Sequence, residues 1–287
     1  MFKNNGGGFR IAYYEASGGN VGDDLNLIVW GYFFNGYIRG DSETALIGIG
    51  SVLDNRFDAI RSKIVFGAGA RSSDTVPDMS DGSWDIRFVR GPNTVKALGI
   101  PEIKYISDPA ILTPLVYSTL KKSRRKSGRV GLVPYLHTNF EYARLLGGVA
   151  ELDVISVKQP PEIFIQKLLG CDYVYAEAMH GAILADAFRI PWKPIRISNK
   201  EHEKDTHDFK WNDWLGSLDM HSDFITLPNF YDDTSWRGSL KKRLESIIGG
   251  VKLKTNREEW CLSNEELLSK RVDQILESIE ILKKEMS

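Results

Sequence analysis

Apolar and polar positions change period repeatedly along this chain, and each change marks an element boundary. Short runs rich in β-branched and aromatic residues predict strands at Phe9–Tyr14, Thr44–Ile49, Lys63–Phe66, Trp84–Val89 and Lys104–Ile106. Apolar residues at helical spacing follow at Leu25–Phe34 and Asn93–Leu98, and Asp108-Pro109 opens a further short helix. Across residues 118–129 apolar residues almost vanish and Lys and Arg cluster, which predicts an interdomain linker or exposed loop. The alternation then restarts. Strands are predicted at Arg129–Val133, Asp153–Val157, Tyr173–Ala176 and Pro194–Ile197, with helices at Phe140–Leu146, Glu162–Leu169 and from His180 to a stop before Pro191.

Strands alternating with helices at this spacing imply parallel sheets joined by right-handed crossovers. The expected fold is α/β, with two Rossmann-like, doubly wound domains at residues 1–120 and 128–230 and a helical segment at 231–287 packing across them. The last helix, Asn264–Met286, carries an apolar stripe that includes Leu268, Ile275, Ile279 and Leu282. Between Ser198 and that helix the pattern weakens. Residues 201–208 read as a charged loop, since their acidic and histidine side chains do not fall at tetrahedral metal spacing. Phe209–Leu215 reads as an aromatic helix whose Trp211 and Trp214 serve either packing or a sugar platform.

Composition narrows the classes. The chain has 287 residues, 42% hydrophobic and 26% charged, with a formal net charge of -1, so a general nucleic-acid partner is not expected. Its two cysteines, Cys171 and Cys261, allow no disulfide framework and no Cys-x-x-Cys metal site, which fits a reducing cytoplasm. No signal-peptide pattern and no apolar run of membrane-spanning length is read. The expected location is cytoplasmic, at the inner face of a membrane if the acceptor lies there. Lys121–Arg129 is then a candidate peripheral contact, though a solvated linker is the plainer reading.

Candidate chemistry gathers where predicted strands turn into helices, the edge at which α/β sheets present ligand groups. His180 stands beside Gly181 at such a turn, preceded by Glu177, Ala178 and Met179. A helix amino-terminus there offers free N–H groups to an anion. Gly18-Gly19-Asn20-Val21-Gly22-Asp23-Asp24 forms a second turn, neither a dinucleotide fingerprint nor a P-loop. Asp23 and Asp24 can each cap the helix or act on substrate. Gly48-Ile49-Gly50-Ser51 and Gly67-Ala68-Gly69-Ala70-Arg71 suggest a cleft floor, and Arg90 ends a further strand, where a guanidinium can hold a carboxylate or phosphate or form a surface ion pair. Asp108 reads as a cap for its short helix.

As an ordered set, several of these pieces resemble the polysaccharide pyruvyl transferase family, in particular its succinoglycan-type branch. They are Gly19-Asn20-Val21-Gly22-Asp23-Asp24, Ile47–Gly50, Phe66–Gly69, Trp84–Pro92, Ser107–Ala110 and Glu177–Ile183. The resemblance implies a glycosyltransferase-B-like fold, phosphoenolpyruvate as donor, a saccharide diol as acceptor (lipid-linked or free), and no further cofactor or metal. It implies His180 as acid/base or phosphate ligand, with Arg90, Arg71, Arg196, Met179 and Gly181 on the donor side. Asp23, Asp24 or Glu177 would orient or deprotonate the acceptor, and Asn20, Gly50 and Ser51 would bind it. Many members carry arginine where this chain has Ala178, so another cation is expected to take its part, with Arg189 also a candidate. A nucleotide-sugar glycosyltransferase and a non-catalytic carbohydrate-binding or assembly protein are the rival readings.

Overall fold

The computed structural model describes residues 8–120, 127–197, 201–228 and 235–287. The basic run proposed as a membrane contact lies largely outside these, at 121–126. The first half comprises β1 (Arg10–Ala12), α1 (Val21–Phe33), β2 (Thr44–Ile47), β3 (Ser62–Phe66), β4 (Trp84–Phe88), α2 (Pro92–Leu98) and α3 (Thr113–Val116). The second comprises β5 (Val130–Val133), α4 (Phe140–Ala150), β6 (Asp153–Val154), α5 (Pro161–Leu169), β7 (Tyr173–Ala176), α6 (Met179–Ala187), β8 (Trp192–Arg196), α7 (Glu201–Ser217) and β9 (Ile225–Thr226). Two helices, α8 (Trp236–Thr255) and α9 (Glu265–Met286), follow.

Two wholly parallel sheets result, in the orders β1-β2-β3-β4 and β6-β5-β7-β8-β9. This is the expected α/β class. The winding differs between halves. In the second sheet the order reverses between β5 and β7, the point at which doubly wound sheets bind ligands. The first sheet advances in one direction without reversal; β2 to β3 crosses by a single 3₁₀ turn and β3 to β4 by a loop. The predicted fifth strand at 104–106 is only an isolated bridge between Val89 and Tyr105, since Glu102–Lys104 coils into a 3₁₀ turn.

The predicted charged loop at 201–208 is instead the start of α7. Its apolar face explains why: Trp211 and Trp214 are fully buried and pack on Trp192, with ring centroids 6.0 and 5.3 Å away. Buried aromatics on one side outweigh the charged character of the first turns, and neither indole is exposed as a sugar platform.

One apolar core runs through both halves. Leu46 and Phe66 of the first sheet, Val174 and Ala176 of the second, and Ile275 and Ile279 of α9 belong to the same buried cluster. A backbone bond from Val21 N–H to the Val157 carbonyl, 2.8 Å, also joins the halves. The two sheets are therefore held with their strand ends across a common cleft.

Candidate active site

The cleft has a volume of about 230 Å³. Tyr14, Asn20, Asp23, Gly50, Ser51, Arg56 and Arg71 line it from the first half. Tyr135, His137, Ala178, Met179 and His180 line it from the strand ends of the second, and α7 adds Thr206 and Lys210.

His180 is the second residue of α6, and Ala178 is that helix's N-cap. The imidazole is fixed from two sides. Its Nε2 lies 3.6 Å from Asp108 Oδ2, and Asp108 is fully buried. The other Asp108 oxygen accepts the Ala110 N–H at 3.0 Å, so Asp108 caps its 3₁₀ turn as predicted and also faces the histidine. Burial works to raise the Asp108 carboxyl. The nearby His180, Arg90 and the Ala110 N–H together prevail and hold it below the usual carboxylate range.

The opposite face of the ring rests on Gly22. A Cβ at Gly22 would lie 2.1 Å from His180 Nδ1 and 2.5 Å from Cγ. The second glycine of the Gly-Asn-Val-Gly turn is thus the floor under the histidine, a contact between the two halves of the fold.

Asp23 is also brought to the cleft. Burial raises its carboxyl above the usual range, against the Asn20 hydrogen bond and the positive charges of His180 and Arg56, with Asp24 adding to the rise. Asn20 Nδ2 donates to Asp23 Oδ2 at 2.6 Å. Asp24 is turned back on its own helix, where its Oδ2 accepts the Asn20 N–H at 3.2 Å, and it does not line the cleft.

Several expected site residues are placed elsewhere. Arg90 is 0% exposed, and its donors are spent within the protein. Nε donates to Asp213 Oδ2 at 2.8 Å, Nη1 to Ser51 Oγ at 2.6 Å and Nη2 to the Ala70 carbonyl at 3.1 Å. A Cβ at Gly69 would lie 2.3 Å from its Cζ, so that glycine makes room for the guanidinium. Arg90 therefore shapes the wall behind Ser51 and does not line the cleft. Its partner Asp213 also accepts the Thr94 N–H at 2.8 Å, which anchors α7 to the start of α2.

Glu177 is 2% exposed and accepts from Tyr135 N–H at 2.8 Å, Thr138 Oγ1 at 2.6 Å and Ile197 N–H at 3.0 Å. Those bonds tie the ends of β5, β7 and β8 together and leave it no position as a free base. Arg196 pairs with Asp208 and contacts His207 on the first turns of α7. Arg189 donates to Ser263. Gly181 packs under Val133, where a Cβ would lie 2.7 Å from Cγ1.

Among the described residues, the cleft cations are Arg56, Arg71 and Lys210. Arg56 is bound at both ends to Asp54, at 2.6 and 2.7 Å. Arg71 is exposed. Lys210 lies 4.8 Å over the Tyr135 ring. Burial, with Arg90 and Arg71 nearby, pushes its ammonium down to about 8, against the pull of Glu177 and Asp23. Sequence reasoning placed Lys210 on the aromatic helix Phe209–Leu215 but gave it no role, because nothing local says that this helix faces the cleft, and it missed the second role of Asp108 because a cap satisfies only one carboxylate oxygen. Two polar residues after the β5 strand end, Tyr135 and His137, were a signal that could have been used.

The family model described as polysaccharide pyruvyl transferase matches residues 6–199. The chain is also 37% identical over 213 residues to the succinoglycan biosynthesis protein ExoV of Rhizobium meliloti (strain 1021), covering 72% of this chain. The similarity spans 64% of that relative, less than two thirds of its length. Lys210 lies beyond the segment matched by the family model.

Proposed function

The chain belongs to the polysaccharide pyruvyl transferase family, and on that premise we propose that it moves the enolpyruvyl group of phosphoenolpyruvate onto two hydroxyls of a saccharide in a surface or exopolysaccharide precursor. The observation that carries this reading is the cleft itself. It sets a buried Asp108–His180 pair and a helix amino-terminus opposite Asp23, with Arg71 and Lys210 free of carboxylate partners among the described residues.

The chemistry requires protonation of the donor's methylene carbon, which leaves positive character at the adjacent carbon. One sugar hydroxyl then forms a C–O bond there. The bond to phosphate breaks, and a second hydroxyl closes the ketal. Of the two hydroxyl protons, one is balanced by the new methyl group and the other leaves with phosphate.

His180 is assigned the proton delivered to the methylene, with Asp108 holding the ring in place. Lys210 and Arg71 bind the donor carboxylate and phosphate, aided by the N–H groups that open α6. They take the part of the cation absent at Ala178. Asp23, kept partly protonatable by burial, receives the acceptor hydroxyl proton, with Asn20 and Ser51 orienting the sugar. Tyr14, 48% exposed at the cleft mouth, offers an aromatic face to a sugar ring.

Incubation with phosphoenolpyruvate and a panel of galactosides and glucosides tests the reading. Phosphate should appear together with a mass gain for a pyruvate ketal on one acceptor. Stabilisation by nucleoside diphosphates, with no binding of phosphoenolpyruvate by calorimetry, would instead sink it.

A further inference from the structure

Helix α8 is built inside out. The side it turns to the protein carries Gly238, Ser246, Gly249 and Gly250, with Leu253 as the one large apolar residue, all buried. Gly249 and Gly250 sit against Leu146 and Val149 of α4, where a Cβ would come within 2.8 and 2.5 Å. The small residues let α8 lie close on α4. Its large apolar side chains face outward: Trp236 is 73% exposed, Leu240 63%, Leu244 58%, Ile247 50%, Ile248 52% and Val251 51%. At 100° per residue these six fall within one third of the helix circumference. Contacts between single apolar residues and water are ordinary, but a continuous stripe of this length is a binding surface.

The charges around the stripe say what it binds. Helix α8 holds six basic residues and a single acid, Glu245. Lys241 and Lys252 border the stripe on one side and Arg243 and Lys254 on the other, while Arg237 lies just inside its edge between Leu244 and Ile248, by the same helical geometry. Lys242 and Lys254 pair with Glu141 of α4 and with Glu151, the residue just after it, at 2.7 and 2.6 Å, and α8 remains positive without them. A second copy of the chain packed on this face would set two such helices against each other, like charge on like. An apolar stripe edged by cations fits an anionic lipid surface, with the rings and branched chains in the acyl boundary and the cations among phosphates.

The orientation also suits that partner. The pairs Lys242–Glu141 and Lys254–Glu151 show that α8 runs parallel to α4. Helix α4 begins just after Tyr135 and His137, which line the cleft. The Trp236 end of α8 therefore lies at the cleft end of the second sheet.

We propose that α8 is a membrane-docking helix that seats the protein on an anionic bilayer through its outward apolar stripe. The proposal stands apart from the assignment of the reaction, because it concerns binding alone. The full chain is sedimented with vesicles of phosphatidylcholine alone and of equal parts phosphatidylcholine and phosphatidylglycerol. It should pellet with the anionic vesicles, leave them as salt rises, and stay in solution with the neutral ones. Replacing Leu244 and Ile248 together by Glu should abolish pelleting, with the circular dichroism spectrum retained. Arg237→Gln and Arg243→Gln should each weaken it roughly fivefold. Brominated lipid should quench the wild-type emission, and Trp236→Phe should remove most of that quenching.

A folded wild-type chain that ignores anionic vesicles overturns the proposal. So does a Leu244/Ile248 double variant that pellets as before. A wild type that light scattering finds dimeric, made monomeric by the same double substitution with unchanged pelleting, assigns the face to a second copy and overturns it equally.

Discussion

Replacing Gly22 by alanine separates the stability of α1 from the position of His180. Gly22 is the second residue of α1. Alanine in a helix is favoured over glycine by about 0.8–1.0 kcal/mol, so propensity alone would stabilise the variant. The new methyl carbon, however, would lie 2.1 Å from His180 Nδ1, 2.5 Å from Cγ and 2.7 Å from Cε1. Ordinary contact begins near 3.4 Å, so the ring must retreat by about 1.3 Å, the difference between 3.4 and 2.1 Å. That movement alters its approach to Asp108, now 3.6 Å from Nε2. A displacement of this size at a reacting group costs on the order of 10²-fold in rate.

Gly31→Ala is the internal control. It lies in the same helix and its added Cβ meets no atom within 4 Å. Phosphate release from phosphoenolpyruvate with a working acceptor gives the rates, and thermal unfolding gives the stabilities. Gly31→Ala should turn over at the parent rate with Tm raised by ~2 °C. Gly22→Ala should lose about 100-fold in kcat with Tm within a few degrees of the parent. A Gly22→Ala enzyme that works at the parent rate refutes the placement of His180 at the reacting atoms.

Substitutions at three other residues probe the remaining contacts. Lys210 should impose a fall in kcat/KM for phosphoenolpyruvate as pH rises through about 8, and Lys210→Arg should carry that limb beyond the accessible range. Because the folded value is below the ordinary 10.5, the unfolded chain binds more protons between about 8 and 10.5, so Lys210 makes stability rise with pH there. Urea midpoints of Lys210→Met should lack that contribution. Asp108→Asn retains an oxygen able to cap Ala110 but removes the carboxylate charge facing the His180 ring, so kcat should fall about 10²-fold with KM little changed; an unchanged kcat would remove Asp108 from the machinery. Arg90→Ala leaves Asp213 charged, 0% exposed and unpaired, which should cost about 3–5 kcal/mol in urea unfolding; a folded variant with only a raised KM would mean the guanidinium reaches the donor after all.

What was legible in the sequence followed from local pattern. The β7 strand and the turn to α6 are written in the period change around Glu177–Gly181, and the glycine turns after β2 and β3 occur where two strand ends approach closely. Cross-strand facts were not legible. No local signal says that the guanidinium of Arg90 folds back between Ser51 and Asp213, or that Glu177 spends its oxygens on the neighbouring strand ends. Both were placed in the site by strand-end logic, which identifies the edge of the sheet but not the direction a side chain takes from it. The start of α7 was read as a loop because its charged first turns hide the period set by Trp211 and Trp214, and the cleft position of Lys210, on the part read as helix, carries no local signal. Helix α8 was read only as part of the helical segment 231–287; its orientation escaped because a glycine face turned inward and an apolar face turned outward invert the usual meaning of the pattern.

These misses have a common consequence for the missing cation. An arginine at the position of Ala178 would stand on the same turn as His180. On the proposed reading that charge is supplied instead by Arg71, in the loop after β3, and Lys210 on α7, both of which line the cleft. Helix α7 is anchored through Asp213 to Arg90, and Arg90 in turn holds Ser51. The buried Arg90–Asp213 pair thus fixes both the helix that carries Lys210 and the cleft wall at Ser51. A residue expected to touch the donor directly gains its importance one step removed, by setting the distance between the cation and the histidine. On that account, damage to Arg90 and damage to Lys210 should differ in kind: the first loosens both walls of the cleft together, and the second leaves the cleft intact but short of a charge.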